Sequence, residues 1–377
     1  MANDIHRTAK GFAVGPRDAP LAFTPHRAHA HGHAVARRRH RALAARGRVA
    51  RRKMNRVVLA TLPTPLENGG KLPGGSNLWV KRDDLTGLGV GGNKARKLEF
   101  LCADALGAGA KSLVTVGAAQ SNHCRMTAAA GARLGLPTHL VLSGDEPRQL
   151  TGNQLLSAMF GATLHHTGLK DTDWSGLEKF RQQLTDQLSR GGSEPYSIPI
   201  GGSTAIGAVG YALAFDEINE QCATKGFSPE SIVFTTSSGG THAGLIAGLV
   251  RARAENPNKD WPRIIGIAVA KGAAMSVERI SELTSQTLRL LDCTATVETT
   301  DVIIETEYMG AQYAVPTKEA SEAATWAARR GAWALDPVYS AKGFSGLLGL
   351  DAKNCFSADS NTVFIHTGGL PSLFVAH

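Results

Sequence analysis

Lys94 stands directly behind two glycines and an asparagine in GGNKARKLEF, residues 91–100, at the first turn of a predicted amphipathic helix. Most lysines in such a place are solvated charges. Adjacent glycines change that expectation, because they allow backbone conformations that other residues resist and leave room where a flat ring could lie. A lysine in a desolvated or cationic site has a lowered pKa and can form a Schiff base with an aldehyde. Lys94 is therefore a candidate for covalent catalysis.

A second candidate is the glycine-rich turn in IVFTTSSGGTHAGLIAGL, residues 232–249. After a predicted strand, a helix begins at about Thr241, and the turn between them consists of Ser237, Ser238, Gly239 and Gly240. Hydroxyl donors, close backbone approach and the positive end of a helix dipole all favour a phosphate group. The turn lacks both GxxxxGK[ST] and GxGxxG, so neither a P-loop nor a dinucleotide site is indicated. An ordinary tight turn with a helix cap is the alternative explanation.

A phosphate-binding turn and a Schiff-base lysine in one protein indicate pyridoxal phosphate, whose phosphate and aldehyde need these two anchors. Further polar residues could surround its ring, although each tyrosine and histidine taken alone is more often structural. They are Ser121, Asn122, His123, Tyr308, Tyr313, Tyr339, Ser340, His366 and Thr367. Cys124, beside this polar group, is interpreted as a buried residue, with a reactive thiol as the alternative.

The elements that must position these residues follow an α/β pattern. From Leu78 onward, short β-rich runs alternate with helical patterns and Gly-containing turns. This order predicts parallel sheets covered by helices on both faces. Two such series predict two α/β domains with a ligand-binding crevice between them. The runs are LWVK, SLVTV, THLVL, SIVFTT, RIIGIAVA and NTVFIHT.

Length and cysteine content narrow the class of protein. The 377 residues are enough for one large or two medium domains. No apolar run approaches the roughly 20 residues of a membrane span. The five cysteines are scattered, without a CxxC pair or a zinc-ligand spacing, which favours a reducing compartment such as the cytoplasm.

The formal charge of +9 is concentrated in the first 53 residues, which hold 13 Lys and Arg against two acidic residues. The remaining chain has 28 basic and 30 acidic residues, so it is nearly neutral. We expect residues 1–53 to be disordered, because they are basic, poor in aromatics and without a steady apolar period. Three explanations stay open: a targeting peptide, a nucleic-acid-binding arm, or translation that starts at Met54.

The order of motifs resembles the family of D-cysteine desulfhydrase and 1-aminocyclopropane-1-carboxylate deaminase, which are fold-type II pyridoxal-phosphate enzymes. The resemblance covers nearly all of residues 60–374 and rests on several separate motifs. They are LPTPLE, KRDDLTGLGVGGNKARKLEFL, GAAQSNH, IPIGGSTAIGAVGY, SSGGTHAGL, LDPVYSAKG and FIHTGGLPSLF. It implies a two-domain fold like that of tryptophan synthase β, with a large cofactor-binding domain (54–97 and 211–377) and a small α/β domain (98–210).

The resemblance also implies roles for individual residues. Lys94 would hold the cofactor as a Schiff base and act as general base. Asn122 would contact the phenolic oxygen of the ring, and Ser121 would lie near the substrate carboxylate. Tyr313 and Tyr339 would orient the substrate or transfer protons. The phosphate would be bound by Ser238, Gly239, Gly240 and Thr241.

Two positions separate members of this family. The residue after the active-site tyrosine and the residue before the C-terminal GG resemble Glu and Leu in the deaminases, but Ser or Thr and then Thr in the desulfhydrases. This chain has Ser340 and Thr367. A hydroxyl near the ring nitrogen gives a weaker electron sink than a carboxylate, which suits loss of a good β-leaving group better than opening of a cyclopropane.

The sequence therefore predicts a lyase that carries out β-elimination on a small amino acid, with D-cysteine giving pyruvate, hydrogen sulfide and ammonia. L-Cysteate sulfo-lyase and 1-aminocyclopropane-1-carboxylate deaminase remain alternatives within the family. A nucleic-acid-binding protein that acts through its basic arm is the alternative from another class, disfavoured by the neutral body. The family also implies a homodimer.

Overall fold

The computed structural model describes residues 54–270, 276–311 and 315–375, so the predictions for residues 1–53 and for Tyr313 lie outside the described residues. Strands and helices alternate along the described chain. The strands are β1 (Leu66–Lys71), β2 (Asn77–Lys81), β3 (Ser112–Gly117), β4 (Thr138–Leu142), β5 (Thr163–His166), β6 (Pro195–Ser197), β7 (Ser231–Thr236), β8 (Arg263–Ala268), β9 (Ile303–Glu305) and β10 (Asn361–Ile365). The α-helices are α1 (Lys94–Gly107), α2 (Asn122–Leu134), α3 (Gly152–Met159), α4 (Trp174–Arg190), α5 (Ala205–Thr224), α6 (Gly240–Glu255), α7 (Val277–Leu290), α8 (Lys318–Gly331) and α9 (Ser340–Ala352).

The strands form two sheets, which confirms the predicted α/β class. Six strands pair in the order β1-β2-β10-β7-β8-β9, and four pair in the order β5-β4-β3-β6. All neighbouring strands are parallel except β1 and β2. This antiparallel pair was not predicted. It follows from the short connection, residues 72–76, since a parallel crossover needs a dozen residues or more.

Both faces of the six-stranded sheet are covered, as the apolar strands require. Along β7, Ile232 and Phe234 pack with residues of α5, α6 and α7. Val233, which points the other way, packs with residues of α8 and α9, among them Phe344. Within the described residues, no helix is long and apolar enough to cross a membrane.

The four-stranded sheet has the same construction on a smaller scale. Leu140 and Leu142 of β4 pack against Cys124 and Ala128 of α2. Val141, which lies between them on the strand, packs instead against Leu177 of α4. The four strands of this sheet fall within residues 98–210 and the other six fall outside, but the predicted domain boundaries themselves stay a prediction.

Two features differ from the sequence pattern. After β10 we expected a helix, and the chain forms a 3₁₀ helix of five residues, Leu370–Phe374. Gly368 and Gly369 before it have φ angles of 99° and 113°, which an α-helix excludes. Strands β1, β5 and β6 escaped prediction because they lack an apolar run, and β9 because its run, Val302–Ile304, is only three residues long.

A buried network of charges ties α1 to both sheet and helix neighbours. Arg96 of α1 donates to Asp83 after β2 (Nη2 to Oδ1, 2.8 Å) and to Glu217 of α5 (Nη1 to Oε2, 2.9 Å). The Tyr211 hydroxyl donates to Asp83 Oδ2 at 2.5 Å, and Lys81 Nζ donates to Glu217 Oε1 at 2.5 Å. Asp83 and Arg96 are each 1% exposed. These charged side chains can be buried because they pair with one another.

We expect Asp83→Asn to lower the free energy of unfolding by about 3–5 kcal/mol, because Arg96 would stay buried after losing one of its two carboxylate partners. Urea denaturation followed by circular dichroism measures this. The matched control is Glu282→Gln, which removes the carboxylate of an exposed pair with Arg279. Glu282→Gln should lower the free energy of unfolding by less than about 1 kcal/mol. Equal effects of the two changes would contradict a structural role for the network.

Candidate active site

A cavity of about 350 Å³ lies where the carboxyl ends of strands from both sheets meet. Parallel α/β sheets bind their ligands at this edge. Gly117 ends β3, Thr236 ends β7 and Thr367 follows β10, and all three line the cavity together with Lys94 at the start of α1. The structure thus brings together four of the regions that the sequence singled out.

The two glycines before Lys94 allow a backbone path that a side chain at these positions would block. Gly91 has a φ angle of 78°, and a Cβ atom on it would lie 1.9 Å from the carbonyl oxygen of Asp84. The loop then pairs with the end of β10, since the Asn93 N–H donates to the Thr367 carbonyl at 3.0 Å. Neither Gly91 nor Gly92 lines the cavity. Their small size is needed for close backbone packing here, and the expectation that they make room for a ring stays a prediction.

The Lys94 amine is held at the cavity wall by amide and hydroxyl groups. Lys94 Nζ donates to Asn93 Oδ1 at 3.1 Å, and Asn93 Nδ2 donates to Thr241 Oγ1 at 3.1 Å. Burial lowers the pKa of Lys94 to about 8. Roughly a tenth of such amines are neutral at pH 7, whereas an ordinary lysine is almost wholly charged. Lys94 is therefore available as a nucleophile and base.

The N-terminus of α6 faces the same cavity. Ser238, Gly239 and Thr241 line it. Gly240 does not reach the wall, because its N–H donates to the Ser203 hydroxyl at 3.2 Å. Ser203 in turn donates to Ser238 Oγ at 2.8 Å. Gly240 therefore supports the predicted phosphate turn through Ser203, and is not brought to the cavity wall itself.

Sequence reasoning missed Lys97, which lies one turn after Lys94 on α1. Lys97 is 1% exposed, and its Nζ donates to the carbonyl oxygen of Gly201 at 3.1 Å. A Cβ atom on Gly240 would lie 2.7 Å from this Nζ, so the amine is adjacent to the start of α6. Burial, together with the charge of Lys94, holds its pKa well below the usual value. The sequence did contain one signal for Lys97: residues three apart on a helix lie on the same side of it, which places Lys97 beside Lys94.

Ser121 caps α2 at the cavity. Its Oγ accepts from the Cys124 N–H at 3.2 Å, which leaves the hydroxyl hydrogen free to donate to a ligand. Cys124 itself is 1% exposed, which confirms the predicted burial. Burial raises the pKa of its thiol to about 12. The alternative of a reactive thiolate is therefore wrong.

Two neighbours of Ser121 also line the cavity. Asn122, the first residue of α2, is on its wall. His123 Nε2 lies 2.9 Å from the Thr115 hydroxyl, which donates to the Ile198 carbonyl and so accepts from His123. His123 Nδ1 is then an acceptor without a partner among the described residues. Burial lowers the pKa of His123 well below its ordinary value, so the ring is neutral.

The residues predicted to lie near the ring nitrogen occupy different positions relative to the cavity. Thr367 lines the cavity, as does Tyr339, whose hydroxyl donates to Ser237 Oγ at 3.3 Å. Ser340 does not line it. The Ser340 hydroxyl donates to Asp336 Oδ1 at 2.6 Å and accepts from the Asp336 N–H at 2.8 Å. The cofactor contact of Ser340 therefore stays a prediction, while its hydroxyl is engaged by Asp336 just before α9.

The cavity residues fit pyridoxal phosphate. Lys94 offers an amine of lowered pKa for its aldehyde. The start of α6 offers hydroxyls and backbone N–H groups for its phosphate, with the buried amine of Lys97 close by. Ser121, Asn122 and Thr367 offer donors between these two anchors.

Comparison with known proteins agrees with this chemistry. Residues 57–368 match the family model described as pyridoxal-phosphate dependent enzyme. D-Cysteine desulfhydrase of Serratia proteamaculans is 37% identical over 332 residues, which cover 85% of this chain and 96% of that protein.

Solved structures agree as well. A crystal structure of an ACC deaminase homologue has a TM-score of 0.75 at 37% identity and covers 85% of this chain and 94% of its own. The processed form of threonine deaminase isoform 2 from Solanum lycopersicum has a TM-score of 0.57 at 18% identity, with 82% of this chain and 80% of that chain covered, and shows the fold alone. The chain therefore belongs to the pyridoxal-phosphate-dependent enzymes, in the family that includes D-cysteine desulfhydrase.

Proposed function

We propose that this protein is a pyridoxal-phosphate-dependent lyase that eliminates the β-substituent of a small amino acid, with D-cysteine as substrate. D-Cysteine and water would give pyruvate, hydrogen sulfide and ammonia. The observation that carries the proposal is the lysine amine of lowered pKa in a cavity shared with a helix N-terminus. The 37% identity to D-cysteine desulfhydrase across nearly its whole length supports the substrate.

The residues of the cavity divide the task of holding the cofactor. Lys94 Nζ would bind its aldehyde carbon. Ser238, Gly239 and Thr241 would bind its phosphate, with Lys97 as a buried counter-charge. The Asn122 amide would donate to its phenolic oxygen, and the Thr367 hydroxyl would meet its ring nitrogen. The positions of these residues on the cavity wall, and of Lys97 beside Gly240, support these roles.

When bound, pyridoxal phosphate draws electrons from the α-carbon of the amino acid and so weakens its bond to hydrogen. Lys94 Nζ would take this proton, because its lowered pKa leaves part of the amine neutral near pH 7. The Ser121 hydroxyl, whose oxygen already accepts from Cys124, would donate to the substrate carboxylate. The Tyr339 hydroxyl would orient the substrate or transfer a proton. Tyr313 is proposed for the same task from the family resemblance alone.

The one carboxylate on the described cavity wall is already engaged, which favours β-elimination over opening of a cyclopropane ring. Glu178 is the acidic residue among the described residues of the wall. Its Oε1 accepts from the Ile200 N–H at 2.8 Å, and its Oε2 accepts from Arg181 at 2.6 Å. Its carboxylate is therefore already engaged. The hydroxyl of Thr367 would then be the group that meets the ring nitrogen, which suits departure of a thiolate.

We also infer a homodimer, because apolar side chains are exposed together on α3 and on the 3₁₀ helix Leu370–Phe374. The two elements are in contact, since a Cβ atom on Gly152 would lie 3.1 Å from the Pro371 carbonyl. Met159 is 72% exposed and Phe374 is 74% exposed. A second copy of the chain would cover such an apolar surface. Leu155, Leu370 and Leu373 complete this surface.

A reducing, cytoplasmic setting is proposed from the cysteines. All five lie in the described part of the chain and all are free. Burial raises the pKa of the Cys102 and Cys222 thiols to about 12, so these two resist oxidation by remaining protonated.

The purified protein is expected to absorb visible light through its bound cofactor and to release sulfide, pyruvate and ammonia from D-cysteine in equal amounts. Side-by-side assays with L-cysteate and 1-aminocyclopropane-1-carboxylate test the alternatives. Lys94→Ala should lose the visible band and lower kcat/KM by about 10²- to 10⁴-fold. Turnover of the cyclopropane amino acid without sulfide release from D-cysteine would reject the proposal.

The uptake of pyridoxal phosphate by the cofactor-free protein should accelerate with rising pH and level off above a midpoint near 8. The reason is that the neutral amine reacts, and burial lowers the pKa of Lys94 to about 8. Stopped-flow absorbance at a series of pH values measures the rate. In Lys94→Arg, the cofactor should remain removable by dialysis. A midpoint near 10.5, as for a solvated lysine, would show that the amine is not desolvated.

Met159→Asp combined with Phe374→Asp is expected to convert a dimer into monomers, because two carboxylates would be buried in the apolar contact. Light scattering coupled to size-exclusion chromatography measures the mass. Phe180→Asp is the control, since Phe180 is 43% exposed on α4, on the opposite face of the four-stranded sheet. A monomeric wild-type protein, or a dimer in the double variant, would contradict the assigned surface.

A further inference from the structure

A buried polar network lies behind Asn122, on the side away from the cavity. Asn122 Oδ1 receives two donors: Asn153 Nδ2 of α3 at 3.0 Å and Arg125 Nη2 of α2 at 3.4 Å. Asn153 is 1% exposed and Arg125 is fully buried. Water therefore cannot replace either donor without rearrangement of the protein.

The orientation of the Asn122 amide follows from this network. Asn153 Nδ2 also donates to the backbone carbonyl of Gln120 at 2.8 Å, and a carbonyl can only accept. A guanidinium group can only donate. The atom of Asn122 that meets both donors must therefore be its oxygen. Its NH₂ group then has no partner among the described residues, and Asn122 lines the cavity.

Arg125 adds a charge to this arrangement. It donates to the backbone carbonyls of Gly89 and Gly91, in the loop that leads to Lys94, and has no carboxylate partner among the described residues. Its positive charge lies behind the Asn122 carbonyl. Polarisation of the amide by this charge makes the N–H on the cavity side a stronger donor.

We propose that Asn153 and Arg125 are positioning residues that hold the Asn122 amide with its NH₂ group toward the cavity, so that the site prefers a deprotonated ring oxygen on the bound cofactor. The inference deepens the proposed function and rests on the proposed contact between Asn122 and that oxygen. Asn153 touches neither cofactor nor substrate. It acts by denying Asn122 the alternative orientation, in which a carbonyl oxygen would face the ring oxygen and repel it.

The test is the variant Asn153→Asp. Its carboxylate can accept from the Asn122 NH₂ group, which would turn the Asn122 oxygen toward the cavity. We expect the visible band of the bound cofactor to titrate at a different pH from that of the wild type, and the cofactor Kd to rise about tenfold. Absorbance over a pH series and equilibrium dialysis measure the two quantities. Neither depends on turnover.

Two further variants make the result decisive. Asn122→Asp removes the cavity-facing donor directly and should move the same titration. Ser372→Ala is the matched control, because Ser372 Oγ lies 3.3 Å from Asn153 Nδ2, as a weaker contact beside the two shorter bonds of that Nδ2, and has no contact with Asn122. It should leave both quantities unchanged. Should Asn153→Asp fail to fold, Asn153→Ser removes the donor without adding charge and should shift both quantities in the same direction.

The outcomes distinguish the inference from the function beneath it. A shift in both Asn153→Asp and Asn122→Asp, with Ser372→Ala unchanged, supports the positioning role. A shift in Asn122→Asp alone overturns it and leaves the ring contact standing. No shift in Asn122→Asp removes the proposed ring contact, and the positioning role is overturned with it.

Discussion

The pairing of Arg96 with Asp83 and Glu217 is the interaction on which the arrangement of the site depends. It joins the first turn of α1 to the end of β2 and to α5. Lys94 lies two residues before Arg96, on the opposite side of the same turn. One side of the helix is thus anchored in a buried ionic network, while the other presents an amine to the cavity. These ion pairs fix the position of α1 along its axis and its rotation about that axis, and so the position of the Lys94 amine.

The cavity itself is built for an anion. Lys94, Lys97 and Arg125 are basic side chains in or beside it, and each donates to amide or carbonyl oxygens and not to a described carboxylate. Burial lowers the pKa of all three. An isolated buried charge is unfavourable, so a bound phosphate would relieve a cost that the protein alone carries. The same desolvation keeps part of the Lys94 amine neutral, so one physical cause would serve both of its proposed roles, cofactor binding and proton transfer.

The two sheets contribute different parts of the site. The six-stranded sheet supplies the turn after β7 and Thr367 after β10, while the four-stranded sheet supplies Ser121 and Asn122 after β3. Residues far apart in sequence meet because parallel strands end at a common edge. Hydrogen bonds behind the wall then decide which atom each side chain presents. Asn122 and Ser340 illustrate this, since Asn122 Oδ1 accepts from Asn153 and the Ser340 hydroxyl donates to Asp336.

Local sequence determined the elements and the chemical class. Apolar runs and glycine turns predicted β3, β4, β7 and the helix at Lys94, and the motif order indicated the cofactor, because period and turn chemistry are local properties. Tertiary structure decided what no local pattern contains. Lys97 lies beside the start of α6 because of how α1 and α6 pack, the Ser340 hydroxyl pairs with Asp336, and Gly91 allows the chain to approach the Asp84 carbonyl closely. Burial and hydrogen-bond partners set these roles, and both arise only when distant segments pack together.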